Sequence, residues 1–227
     1  MQIISILSSI LLFSSLNGCK STAADAVTEE RTLDEVVVEP QKDLSQYQRA
    51  YFASGCFWCV EAIFESVIGV EEAISGYAGG TAKNANYKAV SAGYTNHAEA
   101  VEVYYDSTKV DYPTLLQVFF GSHDPTSLNR QGPDRGRQYR SAIFYQNDRE
   151  KKIAQSYMTQ LDNSDIFAKD IVTEIVPLDV FYPAEEYHQD FERRNPNQGY
   201  VKAVSIPRLN KFKRKFPELL KEGHHAY

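Results

Sequence analysis

Cysteine is scarce in this chain of 227 residues: Cys19, Cys56 and Cys59 are the three present. Three thiols are too few to staple a fold with disulfides or to complete a four-thiolate zinc site, so each is read for its own chemistry. Tryptophan is scarcer, and the single one, Trp58, stands between two of the cysteines. Positive charge is also short, with 24 Lys and Arg against 30 Asp and Glu. Seven of those acids (Asp25, Glu29, Glu30, Asp34, Glu35, Glu39 and Asp43) stand against three bases within residues 20–47. The remaining body is close to neutral and offers no broad basic surface, which sets nucleic acid aside as a partner. No run of apolar residues is long enough to cross a bilayer as a helix, and no internal repeat is visible. What is present suits one globular domain: 43% hydrophobic residues, with 12 Phe and 15 Tyr to fill a core, exclude disorder of the whole chain.

Ile3 to Leu16 form an apolar run broken only by serines, which reads as a secretory signal. It ends in Leu16-Asn17-Gly18-Cys19, which resembles the bacterial lipobox, although no Lys or Arg precedes the apolar run. That resemblance implies a signal peptide at 1–18, acylation of Cys19, secretion across the bacterial inner membrane and a lipid anchor in the cell envelope. Residues 19–46 are acidic, poor in aromatics and without a sustained period, and read as a flexible tether. The folded domain is expected over 47–207, with a basic amphipathic extension over 208–227 that docks on it.

Within the body, Tyr47 to Ser54 reads as a strand, followed by a helix that starts at or near Cys56 and carries Val60, Ile63, Phe64, Val67 and Ile68 on one face. Strands are expected around Ala73 to Tyr77 and at Ala98 to Tyr105. Asp111 can cap a helix with the stripe Tyr112, Leu115, Leu116, Phe119 and Phe120. Next come a strand at Gln138 to Tyr145 and a helix through Ile153, Tyr157 and Leu161. The order β-α-β-β-α-β predicts an α+β fold: a ferredoxin-like split β-α-β two-layer sandwich with a mainly antiparallel sheet. A further strand is expected over 171–182 and a short helix over 184–194.

Gly55-Cys56-Phe57-Trp58-Cys59 is the stretch richest in chemistry. A cysteine at a helix N-terminus faces unpaired N–H groups and the positive end of the helix dipole, which favour thiolate and mark Cys56 as a nucleophile. Both cysteines could instead extend the apolar stripe, but C-x-x-C at a strand-to-helix junction points to redox or metal chemistry. Metal binding needs two further ligands, and His97, His123 and His188 lie in separate segments, so no metal is expected. On the strand from Ala98, Glu99 shares its side with Val101, Val103 and Tyr105, and burial there favours the protonated acid.

Several segments together resemble one family, the A-type peptide methionine sulfoxide reductases. They are Gly55-Cys56-Phe57-Trp58, Gly76-Tyr77-Ala78-Gly79-Gly80, Asn86-Tyr87-Lys88, His97-Ala98-Glu99-Ala100-Val101, His123-Asp124-Pro125-Thr126, Arg130-Gln131-Gly132-Pro133-Asp134, Gln138-Tyr139-Arg140-Ser141-Ala142 and Tyr187-His188-Gln189. The similarity covers roughly residues 50–205. It implies attack of the Cys56 thiolate on a sulfoxide sulfur, with Glu99 as proton donor. Tyr87 and Tyr139 would hold the sulfoxide oxygen, Asp134 would orient that site, and Phe57 and Trp58 would form the apolar wall for the substrate methyl group. Pro133 and Arg137 depart from the family pattern, where Asn and Thr are common. The implied substrates are oxidised proteins or free methionine sulfoxide, the S epimer by resemblance, with no cofactor beyond an external thiol reductant of thioredoxin type, acting on a monomer.

Many relatives carry resolving cysteines near the C-terminus, whereas Gly199 to Tyr227 has none here. Cys59, three residues after Cys56, is near enough on a helix start for a local adjustment to close a disulfide, and is expected to resolve the sulfenic acid. A thioredoxin-like oxidoreductase shares the C-x-x-C but calls for strand, helix, strand, strand after the redox helix. A degenerate binding protein would have lost a reacting residue, and none is missing.

Overall fold

The computed structural model of the protein describes residues 42–224. The signal peptide, Cys19 and nearly all of the tether therefore lie outside the described residues.

Strand β1 (Gln48–Ser54) turns at Gly55 into helix α1 (Phe57–Glu65). Gly55 has φ +93°, and a Cβ there would meet the Gln131 side chain at 2.6 Å, so the residue ahead of Cys56 has to be glycine. Helix α1 buries Phe57, Cys59, Val60, Ile63 and Phe64, most of the stripe read from the sequence. Strand β2 (Val70–Ala78) follows, then the short helix α2 (Tyr87–Ser91), capped by Asn86, and strand β3 (Ala98–Tyr105). Helix α3 (Tyr112–Gly121) begins as expected at Asp111, whose side chain accepts the Thr114 N–H at 2.9 Å. A two-stranded hairpin, β4 (Arg130–Gln131) and β5 (Asp134–Arg135), precedes β6 (Ser141–Tyr145) and the long helix α4 (Asp148–Asp162).

The predicted strand from Gln138 begins at Ser141 instead. Gly136, at φ +131°, opens a single 3₁₀ turn over Arg137–Tyr139 that takes Gln138 and Tyr139 out of the ladder. The strand expected over 171–182 is two strands, β7 (Glu174–Pro177) and β8 (Phe181–Pro183), which occupy opposite edges of the sheet. The helix expected over 184–194 is likewise divided. Asp190 sits in the left-handed region at φ +54° and separates a 3₁₀ turn, Glu186–His188, from the four-residue helix α5 (Phe191–Arg194).

The six-stranded sheet runs β7-β6-β1-β3-β2-β8. The expected description of a mainly antiparallel sheet is corrected to a mixed one: β6, β1, β3, β2 and β8 pair antiparallel in turn, but β7 joins β6 in parallel. The cause is α4, which carries the chain back to the end where β6 began, so that the next strand runs the same way.

The apolar residues of α1, α3 and α4 gather in one cluster against Phe52, Val101, Val103 and Ile143 of the sheet. Phe52 stacks on Phe64 and Phe119 with ring centroids 5.0 and 5.3 Å apart. The opposite face of the sheet is lined mostly by small residues, Ala53, Ala78, Ala98, Ala100 and Ala142, under Leu178 and Phe181. The basic tail forms helix α6 (Ile206–Lys215) after a π-turn over Val201–Ser205. Its Phe212 is buried in the main cluster, and Leu209, Phe216 and Leu219 pack against it. The helix is shorter than the amphipathic pattern of residues 208–221 suggests, because Pro217 follows Phe216 and the chain continues as one 3₁₀ turn.

Candidate active site

Cys56 is the N-cap of α1 and is almost fully buried. The side chains of Cys56, Phe57, Trp58, Tyr87, Glu99, Asp134 and Tyr139, all picked out in the sequence, share one cavity of about 180 Å³ with Tyr200. They come from five places in the chain: the start of α1, the start of α2, β3, the β4–β5 hairpin, and the 3₁₀ turn before β6. Strand β3 lies in the middle of the sheet, so Glu99 reaches the site from below the helix. Glu99 is 2% exposed, and its Oε2 accepts the Phe57 backbone N–H at 3.1 Å. Burial pushes its carboxyl up to about 8, against the pull of that hydrogen bond, and the nearby Asp134 and Cys59 push the same way. At neutral pH Glu99 is therefore a protonated acid.

The expectation that the helix N-terminus lowers the pKa of Cys56 is not met. Burial raises the Cys56 thiol well above its usual range, and Cys59 and Glu99 add to the rise. Three of the first-turn donors are spent elsewhere. Phe57 N–H goes to Glu99, while the N–H groups of Cys59 and Val60 go to the Cys56 carbonyl at 3.2 and 3.4 Å. Cys59 moves the opposite way. A hydrogen bond from Cys56 lowers its pKa, despite burial, and Arg208, Ser205 and Tyr200 assist.

The aromatic wall is held from outside. Trp58 Nε1–H donates to His188 Nδ1 at 3.1 Å, and its indole stacks on Phe191 at 3.8 Å. Glu185 accepts the Tyr87 backbone N–H at 3.0 Å and the Tyr77 hydroxyl at 2.7 Å, which fixes the start of α2. Burial raises the Tyr87 hydroxyl to about 12 and that of Tyr139 further, so both are O–H donors over the whole working range. Pro133 and Arg137, the two departures in sequence, are exposed on the hairpin and the turn and do not line the cavity.

Tyr200 and Arg208 are site residues that the sequence did not single out, and His188, quoted there within Tyr187-His188-Gln189, was given no role beside Trp58. The Tyr200 hydroxyl donates to Asp134 Oδ2 at 2.5 Å and lies 4.0 Å from Cys59 Sγ. Nothing in the composition distinguishes Tyr200 among 15 tyrosines. Cys59 does not line the small cavity but the wall of a larger one of about 520 Å³ on the other side of Tyr200 and Asp134. Among the described residues, the one group of metal-type donors close enough to share an ion is Glu61, Glu65 and Asp190, which includes neither cysteine.

The family model for "Peptide methionine sulfoxide reductase" matches residues 48–220, three-quarters of the chain. The chain belongs to the peptide methionine sulfoxide reductase family. It is 51% identical over 175 residues to peptide methionine sulfoxide reductase MsrA 2 of Synechocystis sp., covering 77% of this chain and 82% of that one. It is 49% identical over 174 residues to the MsrA of Pasteurella multocida, covering 77% of this chain and 99% of the relative. Among solved structures, reduced Mxr1 of Saccharomyces cerevisiae superposes with a TM-score of 0.63 at 32% identity, covering 70% of this chain and 91% of that one. Methionine sulfoxide reductase A of Corynebacterium diphtheriae gives 0.59 at 36% identity, covering 66% and 76%. Membership in this family, together with the two strands β2 and β3 that lie between α1 and α3, removes the thioredoxin-like alternative. The reductase fold explains why the cavity is assembled from short loops around a buried strand: β3 supplies the acid, and every other group arrives at the mouth of the sheet.

Proposed function

We propose that this methionine sulfoxide reductase reduces the S epimer of methionine sulfoxide, free or in proteins, through a sulfenic acid on Cys56 that Cys59 resolves. The observation that carries the reading is the protonated Glu99 held against the first residue of α1, in the cavity lined by Cys56 and the tyrosines Tyr87, Tyr139 and Tyr200. The sulfoxide methyl group sits against Phe57 and Trp58, and the oxygen takes hydrogen bonds from Tyr87, Tyr139 and Glu99. That oxygen is where negative charge gathers, so donors aimed at it lower the barrier. Asp134 is held by Tyr200 and keeps the mouth of the site in order.

The Cys56 thiolate attacks the sulfoxide sulfur while Glu99 protonates the oxygen, and the proton that Cys56 gives up restores Glu99. The oxygen passes to the Cys56 sulfur, methionine leaves, and Cys56 is left as a sulfenic acid. One thiol and one sulfoxide have become one sulfenic acid and one thioether. The Cys59 thiolate then attacks the Cys56 sulfur; the S–O bond breaks, and the oxygen departs with a proton as water, leaving a disulfide. The lowered pKa of Cys59 supports its part as that attacking thiolate. An external dithiol of thioredoxin type closes the cycle.

The fold reading at its finer level is a ferredoxin-like split β-α-β core, supported by the strand order β6-β1-β3-β2. The leader at 1–18 and the acylated Cys19 place the enzyme on the cell envelope, tethered through 19–46, where it repairs oxidised envelope proteins. The domain over 47–207 carries the chemistry and the 208–227 extension braces it. A monomer is the working unit of this reading.

Wild-type protein given excess sulfoxide without reductant should form one intramolecular disulfide. Cys59→Ser should stop at a sulfenic acid that dimedone captures, after releasing one methionine per enzyme. Undiminished recycling by thioredoxin in Cys59→Ser would reduce Cys59 to a packing residue.

A further inference from the structure

The two cysteines face different spaces. Cys56 lines the small cavity with Glu99 and the tyrosines, whereas Cys59 lines the larger one, and the hydrogen-bonded pair Tyr200–Asp134 borders both. The larger cavity, about 520 Å³, falls within the size range of small-molecule sites. Its wall carries three cations from α6: Arg208, Lys211 and Lys215. None of them forms an ion pair with a carboxylate among the described residues. Two carboxylates are also present, Asp124, whose oxygens are occupied by Thr126 and Ser127, and Asp134, which is occupied by Tyr200. Arg208 is fixed in place, with Nε donating to the Ser122 carbonyl at 2.9 Å and an Nη to Ser54 Oγ at 3.1 Å, and its other guanidinium donors are uncommitted among the described residues.

A sulfur that becomes electrophilic once the Cys56–Cys59 disulfide forms, a concave space of ligand size and cations without carboxylate partners on one wall make a site for an anion that carries a thiol. We propose that this cavity is a second ligand site, which takes a carboxylate-bearing thiol of low molecular weight and delivers its sulfur to Cys59. The inference rests on the reading of Cys59 as the resolving cysteine. It gives sulfoxide and reductant separate openings, so that neither has to leave before the other arrives.

The donor thiolate attacks Cys59 Sγ of the Cys56–Cys59 disulfide. The S–S bond breaks, the electron pair leaves on Cys56, and Cys56 takes the proton held by Glu99. A mixed disulfide between donor and Cys59 remains. A second donor thiolate attacks the donor sulfur of that mixed disulfide and frees the Cys59 thiolate, so two thiols are oxidised to one disulfide while the protein disulfide is reduced. Basicity alone would favour attack at Cys56 with Cys59 leaving, since the less basic thiolate leaves faster. Both sulfurs are buried, but the cationic wall holds the donor on the Cys59 side, and Glu99 can protonate Cys56 as it departs, which together reverse that preference.

The probes are 3-mercaptopropionate, 2-mercaptoethanol and cysteamine, which are anionic, neutral and cationic beside the same thiol chemistry. Protein oxidised with excess sulfoxide is first checked by mass for the loss of two hydrogens. Each thiol is then mixed with it, and reduction is followed by the fluorescence of Trp58, the single tryptophan. Rates are compared per thiolate after correction for thiol basicity. The ratio of anionic to cationic rate within one protein is the readout, so a general loss of activity cancels. Wild type should favour 3-mercaptopropionate over cysteamine by about tenfold at low ionic strength, with the ratio falling towards one as salt rises. Lys211→Gln with Lys215→Gln should level the ratio, and Lys211→Glu with Lys215→Glu should invert it. The trapped mixed disulfide should map to Cys59. A ratio of one in wild type, a ratio untouched by the lysine replacements, or recycling only by a protein dithiol would overturn the site. Absence of the initial mass loss would instead overturn the resolving role of Cys59, on which the site depends.

Discussion

The Glu99 carboxyl accepts the Phe57 backbone N–H at 3.1 Å, tying the acid of the central strand to the first turn of the helix that begins at Cys56. A Gln in that place could accept the same hydrogen bond through its amide oxygen but could not give up a proton. Glu99→Gln should therefore leave the fold intact and slow sulfoxide reduction in a single turnover by about 10²- to 10⁴-fold, the usual contribution of a general acid. A full single-turnover rate in Glu99→Gln at neutral pH would remove the acid role.

The same protonated state sets the pH dependence of the chemical step. Glu99 loses its proton as pH passes through about 8, so the wild-type single-turnover rate should lose its acid-dependent part above that pH. The Glu99→Gln profile should lack this descending limb. A descending limb of equal size in both proteins would assign it to another group.

Glu61 offers a stability test away from the chemistry. Its Oε1 accepts the Asp190 N–H at 2.7 Å and its Oε2 accepts the Ser75 hydroxyl at 2.6 Å, while burial pushes its carboxyl up to about 8 from an ordinary 4.5. The folded protein thus keeps a proton that the unfolded chain has already lost, and this favours folding less and less as pH rises from about 4.5 to about 8. Gln can serve both partners without titrating. The melting temperature of Glu61→Gln should gain on wild type between pH 5 and pH 9; a gap that stays constant, or closes, would contradict a buried neutral Glu61.

How far the sequence could be read depended on how local each feature was. Strand β3 and the cap of α3 were legible because alternation along Ala98–Tyr105 and an Asp ahead of Tyr112 are short-range signals. The strand pair β7 and β8 read as one strand, because nothing in residues 171–182 reveals that the chain crosses from one edge of the sheet to the other. Cys56, Glu99 and the two tyrosines were recognisable from motif position. Their joint placement was not, since it depends on β3 lying beneath α1. Tyr200 and Arg208 reach the cysteines only because the C-terminal segment returns across the domain, a long-range event with no local mark. The thiol reading erred for a related reason: a helix N-terminus is visible in sequence, whereas the burial that outweighs it at Cys56 is not.

The membrane anchor has its own test. If Cys19 is acylated, the secreted protein should partition into a detergent phase, and Cys19→Ala should release it into the aqueous phase with its sulfoxide turnover per molecule unchanged. Wild-type protein found wholly in the aqueous phase after secretion would dispose of the anchor without touching the chemistry.

The most direct measurement is a single-turnover assay with the separated epimers of a methionine sulfoxide, counting methionine released per enzyme in the absence of reductant. The S epimer should yield one methionine per enzyme in wild type and none in Cys56→Ser, and the R epimer should yield none in either. Release of methionine from the R epimer alone, or undiminished release by Cys56→Ser, would contradict the assignment of this cavity as an S-sulfoxide site with Cys56 as its nucleophile.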